Sequence, residues 1–366
     1  MRRLRWIAWS LRHEVRPQIL ADLVRAHGGH PPPIPWNADG DPCAIGMRPG
    51  DRALLTAGTP GVAEARSALA SADSRGVRIL TQDDAGWMAR LWTELPDPPV
   101  ALYVRGELHP VDEAAVAIVG SRYPSPNGMS VARSLARDLA REGVTIVSGL
   151  ALGIDGAAHR GALDAGGRTV AVLGGGIDNP SPPSHAALAE RVARSGAVVS
   201  EFPLGCHPRP LHFPRRNRIL GALAHVVVVV EGAKRSGARS TVDHAIALGR
   251  EVAAVPRDPV HEGSDFPNAL LRSGATPVAC AQDVLDLLGT VRPAVRRAPP
   301  AGLAGDRTME DALLARLAQG RHDLGGLVRL AGGDHARILA LLGRLEASGK
   351  VRRLPGMRFE ISGTRA

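Results

Sequence analysis

Short apolar runs alternate with amphipathic segments through the middle of the chain. The apolar runs predict strands at 114–120, 144–149, 169–176, 197–201, 225–231 and 251–256. The segments between them predict helices at 128–142, 155–165, 184–194, 215–223 and 240–249. Strands that are apolar throughout and alternate with helices are typical of a parallel sheet covered on both faces. We therefore predict an α/β fold with a doubly wound parallel sheet over residues 96–288.

The pattern differs on both sides of this region. Residues 1–95 are rich in arginine and carry helical spacing at 16–27, which predicts a mostly helical N-terminal region. Residues 289–306 have no periodicity and predict a linker. Residues 307–366 predict helices followed by a basic hairpin, which is the pattern of a small C-terminal winged helix.

Positive charge is concentrated in one part of the predicted sheet region. The chain of 366 residues has a formal net charge of +9. The segment between residues 205 and 240 contains seven lysines and arginines and a single acidic residue, Glu231. This segment follows the fourth predicted strand and flanks the valine-rich fifth one. The charge predicts an anionic partner for this part of the chain.

Several classes of site and location are not supported by the sequence. The three cysteines, Cys43, Cys206 and Cys280, are scattered and form no CxxC pattern, and no HExxH is present. We therefore expect no metal site, no disulfide framework and no cofactor. No uncharged apolar stretch approaches the roughly 18 residues of a membrane span, and the N-terminal apolar run is too short for a signal peptide. These features favour a cytoplasmic protein without membrane contact.

Glycine recurs where the predicted strands end. The segments that follow five strands are GSRYPSPNG (120–128), GLALGIDGAAHRG (149–161), GGGIDN (174–179), EFPLG (201–205) and EGAKRSGARST (231–241). Ligands of open α/β sheets bind at the carboxyl ends of the strands. Glycines there let backbone N–H groups approach a ligand, and the helix N-termini that follow favour anions. The loops therefore predict one anion-binding edge.

A run of arginines begins the helix predicted at 215–223. Pro214 suits the first turn of a helix, and Arg215 and Arg218 are three residues apart, so they share a face. These arginines either face a ligand or pair with carboxylates, for which the candidates are Asp155, Glu201 and Glu231. The two roles are compatible if some arginines pair and others face the ligand.

The sequence narrows the kind of anion. No GxGxxG follows the first predicted strand, and no P-loop motif is present, so dinucleotide and P-loop nucleotide sites are not indicated. Seven basic residues exceed what one mononucleotide needs. A polyanion would use them all, which favours a nucleic acid.

Motifs in this order and spacing resemble the DprA/Smf family (DNA-processing protein A). They are GSRYPSPNG, SGLALGIDGAAHRGAL, TVAVLGGGID, VVSEFPLG, FPRRNRILGAL, VVVVVEGAKRSGARST and GREVAAVP. The resemblance covers about residues 80–280 and extends more loosely to the C-terminal winged helix. It implies a Rossmann-like, non-catalytic domain that binds single-stranded DNA and forms a homodimer. It also implies a protein that protects incoming DNA and loads the RecA recombinase onto it in natural transformation and recombination.

The resemblance also implies a set of DNA-binding residues. The candidates for direct contact are Arg122, Arg209, Phe213, Arg215, Arg216, Arg218, Lys234 and Arg235. The residues expected to shape phosphate-binding turns are Gly120, Ser121, Gly128, Gly149, Gly153, Ser236, Gly237 and Thr241. Phe213 is expected to stack on a base. Asp155 and His159 are expected to bond to nearby loops instead.

The chain departs from the family pattern at a few positions. Ser181 and His185 stand where the family has a tyrosine-proline pair and a later asparagine after GGGID, and Arg257 replaces the glycine of VPG. The usual SGSLxTA appears as SGARSTV. The segment 266–276 is the predicted dimer surface, on resemblance alone.

Two other classes of protein remain as alternatives. A nucleotide phosphoribohydrolase of the LOG type shares this kind of sheet, but its catalytic glutamate follows a PGGxGT motif, and His244 stands at that spacing after Thr241. A winged-helix transcription factor would use a recognition helix at about 335–347, where only Arg337 and Arg344 are basic. Binding of single-stranded against double-stranded DNA separates the three classes.

Overall fold

The computed structural model describes most of the chain up to residue 291 and shorter segments beyond it. The described residues are 1–33, 48–56, 61–84, 86–291, 313–314, 316–317, 322–323, 327, 338, 341–343, 345–346, 350–354 and 358–361. The chain divides into two compact units, Met1–Val295 and Arg296–Ala366. The linker predicted at 289–306 lies, from residue 292 onward, outside the described residues.

The first unit is built on a mostly parallel sheet. Its described strands are β1 (Val77–Leu80), β2 (Leu102–Gly106), β3 (Ala115–Val119), β4 (Thr145–Ser148), β5 (Thr169–Val172), β6 (Ala197–Ser200), β7 (Val226–Val229), β8 (Glu251–Ala254) and β9 (Thr276–Pro277). Their order in space is β1-β2-β6-β5-β4-β3-β7-β8-β9. From β3 the chain winds outward through β4, β5 and β6 in one direction and through β7, β8 and β9 in the other. This arrangement confirms the Rossmann-like, doubly wound prediction.

Helices cover both faces of the sheet. They are α1 (Arg2–Ser10), α2 (Pro17–Ala26), α3 (Pro49–Thr56), α4 (Val62–Asp73), α5 (Ala89–Thr93), α6 (Pro126–Arg141), α7 (Ile154–Asp164), α8 (Ala186–Ser195), α9 (His212–Leu223), α10 (Ala238–Ala247), α11 (Asp265–Arg272) and α12 (Ala281–Val291). The helix predicted at 16–27 corresponds to α2, and the five predicted between strands correspond to α6 to α10. No helix in the described part of the chain is long and apolar enough to cross a membrane.

The valine run of β7 is buried on both faces. Val227 and Val229 belong to a core cluster that includes residues of α9 and α10. Val226 and Val228 belong to a second cluster, on the other face, with residues of α6, α7 and α12. Because side chains of a strand alternate between its faces, a strand covered on both sides needs apolar residues at every position.

The N-terminal region extends the sheet as well as forming helices. β1 pairs antiparallel with β2, and β2 pairs antiparallel with β6, so the sheet has an antiparallel edge that the sequence analysis did not predict. Ile7 of α1 and Ala65 of α4 join one core cluster with Val77, Ile79 and Tyr103. Part of the N-terminal region is therefore packed on the sheet.

The second unit contains a small antiparallel sheet. Its described strands are β10 (His322–Asp323), β11 (Val351–Leu354) and β12 (Arg358–Ile361), in the order β10-β12-β11. Leu313, Ile338 and Phe359 belong to its apolar core. A winged helix over residues 307–366 stays a prediction, because much of it, including Arg337 and Arg344, lies outside the described residues.

Candidate nucleic-acid interface

A cleft of about 720 Å³ lies at the carboxyl end of β3, beside the starts of α9 and α10. The winding direction of the sheet reverses at β3 and β7, and ligands of doubly wound folds bind at such a point. Eight of the predicted site residues line this cleft together. They are Gly120, Ser121, Arg122, Phe213, Arg216, Ser236, Gly237 and Thr241.

The loop after β3 is held from two sides. The Ser121 N–H donates to the carbonyl of Glu231 at 2.6 Å, and the Ile154 N–H donates to the carbonyl of Ser121 at 3.1 Å. Gly153 adopts φ +74°, and a Cβ there would lie 2.3 Å from the Ser121 carbonyl oxygen. Only glycine permits this approach. Gly153 therefore shapes the loop, although it does not line the cleft itself.

A buried carboxylate anchors the other end of this loop. The backbone N–H and the hydroxyl of Ser125 donate to Glu231 at 2.9 and 2.8 Å, and the same hydroxyl caps α6 by accepting from the Gly128 N–H. Arg257 pairs with Glu231 at 2.6 Å. A Cβ at Gly128 would lie 2.1 Å from a Glu231 carboxylate oxygen. Glu231 therefore pairs with Arg257, the residue that departs from the family pattern, and not with the arginines of α9.

Arg218 lies inside the protein and does not face the cleft. Its guanidinium donates to Glu201 at 2.8 Å and to Asp97 at 3.2 Å. The side chains of Arg218 and Glu201 are each 2% exposed. The alternative role in ion pairing therefore holds for Arg218, and the predicted DNA contact is not supported by its placement.

Arg215 joins α9 to the N-terminal region. Its guanidinium donates to the carbonyl of His13 at 2.6 Å, pairs with Glu201 at 3.0 Å, and lies 5.1 Å from the centre of the Phe202 ring. The side chain is 16% exposed. Most of the N–H donors of Arg215 are therefore already bonded to groups within the protein.

Arg216 forms part of the cleft wall from a buried position. It donates to the carbonyls of Gly149 (2.8 Å) and Val172. Burial lowers the pKa of Arg216 to about 10, and the nearby Asp155 opposes this shift. A Cβ at Gly149 would lie 2.4 Å from the Arg216 guanidinium, so the glycine gives the arginine room.

Asp155 supports the loop after β4, as expected from the sequence, whereas His159 bonds to strand β5 and not to a loop. Asp155 accepts from the N–H groups of Gly149 at 3.1 Å and Ala151 at 3.4 Å, while burial raises its pKa. His159 Nδ1 lies 2.7 Å from the Thr169 hydroxyl. Burial, with smaller effects of its positive neighbours, lowers the pKa of His159 to about 3. His159 is therefore a neutral structural residue.

Four exposed cations of the predicted site lie on its loops. Arg122 is exposed, and its guanidinium lies 5.0 Å from the centre of the half-buried Phe213 ring. Arg209, Lys234 and Arg235 are also exposed but do not line the cleft. Arg122 and Phe213 thus place a cation and an aromatic ring together at the cleft, as a ligand with phosphates and bases requires.

The cleft also contains residues that were not predicted as site residues. Arg239 lines it and lies 4.8 Å from the centre of the Phe266 ring. Asn217 donates to the Ser240 hydroxyl at 2.6 Å, which joins the starts of α9 and α10. Both were visible in the sequence, Arg239 as part of the basic segment and Asn217 as part of the FPRRNRILGAL motif, but neither was assigned a role. Among the described residues, no group of three or more histidine, cysteine or acidic side chains is placed to hold a metal ion.

Comparisons with known proteins find one family over most of the first unit. The model of the family described as DNA recombination-mediator protein A matches residues 78–289. A putative DNA processing protein DprA of Mycobacterium tuberculosis is 41% identical over 244 residues, which cover 63% of each chain. Protein Smf of Escherichia coli is 46% identical over 193 residues, which cover 52% of each chain. The X-ray structure of DprA from Streptococcus pneumoniae is 29% identical, with a TM-score of 0.66, and covers 77% of this chain and 97% of that one.

These matches define the class of protein as a DNA-processing protein with a Rossmann-like sheet. The chain belongs to the DNA recombination-mediator protein A family. The alignment spans less than two thirds of the length of the Mycobacterium tuberculosis relatives. Members of this family are non-catalytic binding proteins, so membership favours binding over the hydrolase activity considered above.

Proposed function

We propose that the chain binds single-stranded DNA through the cleft at β3 and acts in DNA processing. The observation that carries this proposal is the exposed guanidinium of Arg122 beside the Phe213 ring, in a cleft with Gly120 and Gly237 in its walls. A guanidinium offers a permanent charge and several donors to phosphate. An aromatic ring offers a surface for bases, whatever their sequence.

The geometry favours a single strand over a duplex. The cleft is formed by loops and helix starts, and the polar helix side chains in it, among them Arg216, Asn217 and Arg239, are already bonded to groups of the protein itself. Sequence-specific recognition of duplex DNA generally places a helix or a ribbon in the major groove. Affinity from phosphate contacts and base stacking is independent of sequence and falls steeply with salt.

The finer biological role rests on membership of the family. We propose that the protein protects incoming single strands and delivers them to the RecA recombinase in natural transformation or recombination. We also propose that it acts as a homodimer, with the segment 266–276 on the dimer surface. The matched family is described as a recombination mediator, which supports a recombinase partner.

The primary test compares single-stranded and double-stranded oligonucleotides of the same length. Fluorescence anisotropy at several salt concentrations gives the affinity and its salt dependence. We expect tighter binding to the single strand, little preference among sequences, and a linear fall of log affinity with log salt. Tighter binding to the duplex, or affinity that is indifferent to salt, would contradict the proposal.

Two further measurements address the partners. Light scattering at micromolar concentration should give the mass of a dimer, and a monomer would count against the dimer proposal. RecA filament formation on strands coated with single-strand binding protein should be faster with this protein present. An unchanged rate would remove the recombinase from the proposal without affecting DNA binding.

A further inference from the structure

Three large apolar side chains are exposed on the loops around Arg122 and Phe213. Tyr123 is 85% exposed, Leu211 is 84% exposed and Leu152 is 37% exposed. Single exposed apolar residues are common on proteins and need no explanation. Here, however, the three lie on three loops that meet at one charged site.

The three side chains do not line the cleft, but contacts of their chain neighbours place their backbone beside it. Tyr123 follows Arg122, whose guanidinium lies over the Phe213 ring. Leu211 lies two residues before Phe213 in the chain. Leu152 precedes Gly153, where a Cβ would lie 2.8 Å from the Arg122 carbonyl oxygen and 2.6 Å from Pro124.

The loop that carries Tyr123 is anchored at several points. The Tyr123 N–H donates to the Ser121 hydroxyl at 3.0 Å. The Ser121 N–H donates to the Glu231 carbonyl, and Ser125 is bonded to the Glu231 carboxylate. Because this loop is already ordered, little backbone entropy is lost when its exposed aromatic side chain contacts a ligand.

We propose that Tyr123 stacks on an unpaired nucleobase of the strand whose phosphate Arg122 binds. Leu211 and Leu152 extend the same apolar rim. This inference rests on the proposed function, and it assigns base contact to a residue outside the predicted DNA-binding set. Bases of a duplex are stacked within the helix, so a rim of this kind selects strands with free bases.

Fluorine NMR tests the stacking directly. The chain has only two tyrosines, Tyr103 and Tyr123, and Tyr103 is 1% exposed. Protein labelled with 3-fluorotyrosine should therefore give two resonances, which the Tyr123→Phe variant assigns. We expect an oligothymidine strand to shift the Tyr123 resonance and to leave that of Tyr103 in place. An abasic strand of equal length and charge should bind without this shift.

Affinity measurements separate stacking from other effects of the side chain. Tyr123→Ala should weaken binding of single strands about 5- to 150-fold, as expected for loss of one stacked base, and Tyr123→Phe should retain it. On the abasic strand, all three proteins should bind equally. The control is Ile246→Ala, which removes an exposed apolar side chain near the far end of α10 and should change nothing.

The outcomes distinguish this inference from the function on which it rests. If single strands bind with the expected salt dependence but the Tyr123 resonance does not move and Tyr123→Ala binds normally, stacking by Tyr123 is wrong and the proposed function stands. Equal losses on the ordinary and abasic strands would likewise overturn stacking. If the parent protein binds no single-stranded DNA, both proposals fail.

Discussion

The guanidinium of Arg218 donates to the carboxylate of Glu201 at 2.8 Å, in a place where neither side chain reaches water. Asp97 accepts a second bond from the same guanidinium at 3.2 Å. The arginines of the FPRRNR run are therefore largely components of the scaffold. Arg122, an exposed cation that lines the cleft, comes from the loop after β3 instead.

Arg218→Ala should destabilise the protein without a direct effect on DNA. Removing one partner of a buried ion pair costs about 3–5 kcal/mol, because the other charge stays buried. We expect a loss near 3 kcal/mol in the free energy of unfolding, since Arg215 still pairs with Glu201 and Gln18 still donates to Asp97. Urea denaturation measures this loss.

The matched control for this substitution is Arg209→Ala. Arg209 is exposed and belongs to the same basic segment, so its removal should change stability by less than about 0.5 kcal/mol. A variant Arg218→Ala with parental stability but reduced DNA affinity would place Arg218 in the DNA site and contradict its structural role.

Arg122→Ala should weaken DNA binding and leave the fold unchanged. The side chain is exposed, and no carboxylate among the described residues is paired with it. Loss of one phosphate contact should reduce the slope of log affinity against log salt by about 0.7. Salt titrations of the variant and parent give this difference.

The control for Arg122→Ala is Arg194→Ala. Arg194 is exposed near the end of α8, beside Gly106 of β2 and outside the cleft, and its removal changes the net charge by the same amount. If the two substitutions reduce affinity and salt slope equally, Arg122 acts only through net charge and is not a specific contact.

The sheet and the position of the cleft could be predicted from the sequence because their signals are local. Five consecutive valines and glycines at strand ends carry the information within a few residues. β1 was missed because its pattern is weak: only Val77 and Ile79 point into the core, and its partner β2 begins more than twenty residues later. Half-buried edge strands depend on such distant pairing.

The roles of individual arginines could not be predicted in the same way. Arg218 and Arg122 look equivalent in the sequence, since both lie beside glycine-rich strand ends. Burial of Arg218 is decided by Glu201 and Asp97, which are 17 and 121 residues away in the chain. Only the folded chain shows which carboxylates meet which guanidinium groups.

Gly153→Ala should distort the loop that carries Arg122. The residue has φ +74° and ψ −123°, and the added Cβ would meet the Ser121 carbonyl oxygen at 2.3 Å. We expect a loss of more than about 2 kcal/mol in stability, from strain and from the clash together. Affinity of the folded fraction for single-stranded DNA should also fall, because the loop must move.

Gly166→Ala separates backbone strain from the clash. Gly166 has φ +66°, but nothing lies within 4 Å of the position of its Cβ. This variant should lose only about 1–2 kcal/mol and bind DNA like the parent protein. Equal effects of the two substitutions on DNA affinity would show that the contact between Gly153 and Ser121 does not position the loop.

The stability of the protein should fall as the pH is lowered below about 6.5, in part because of His159. Burial lowers the pKa of His159 to about 3, whereas an unfolded histidine titrates near 6.5. Between these values the unfolded chain binds a proton that the folded chain does not. The stability contributed by neutral His159 is therefore fully present above pH 6.5 and is lost as the pH falls toward 3.

His159→Gln should flatten this dependence by up to about 1.4 kcal/mol per pH unit between pH 4 and 6. His225→Gln should flatten it in the same direction, since burial lowers the pKa of His225 to about 4. Asp155 acts in the opposite sense, because its raised pKa makes the folded state hold a proton that the unfolded chain releases. Urea denaturation at each pH gives the free energy of unfolding, and its slope against pH is compared between variant and parent. The difference between the two slopes isolates the contribution of the histidine, which the parent slope alone does not. If the slope of His159→Gln equals that of the parent, His159 is either protonated in the folded protein or open to water, and its role as a neutral buried residue is wrong.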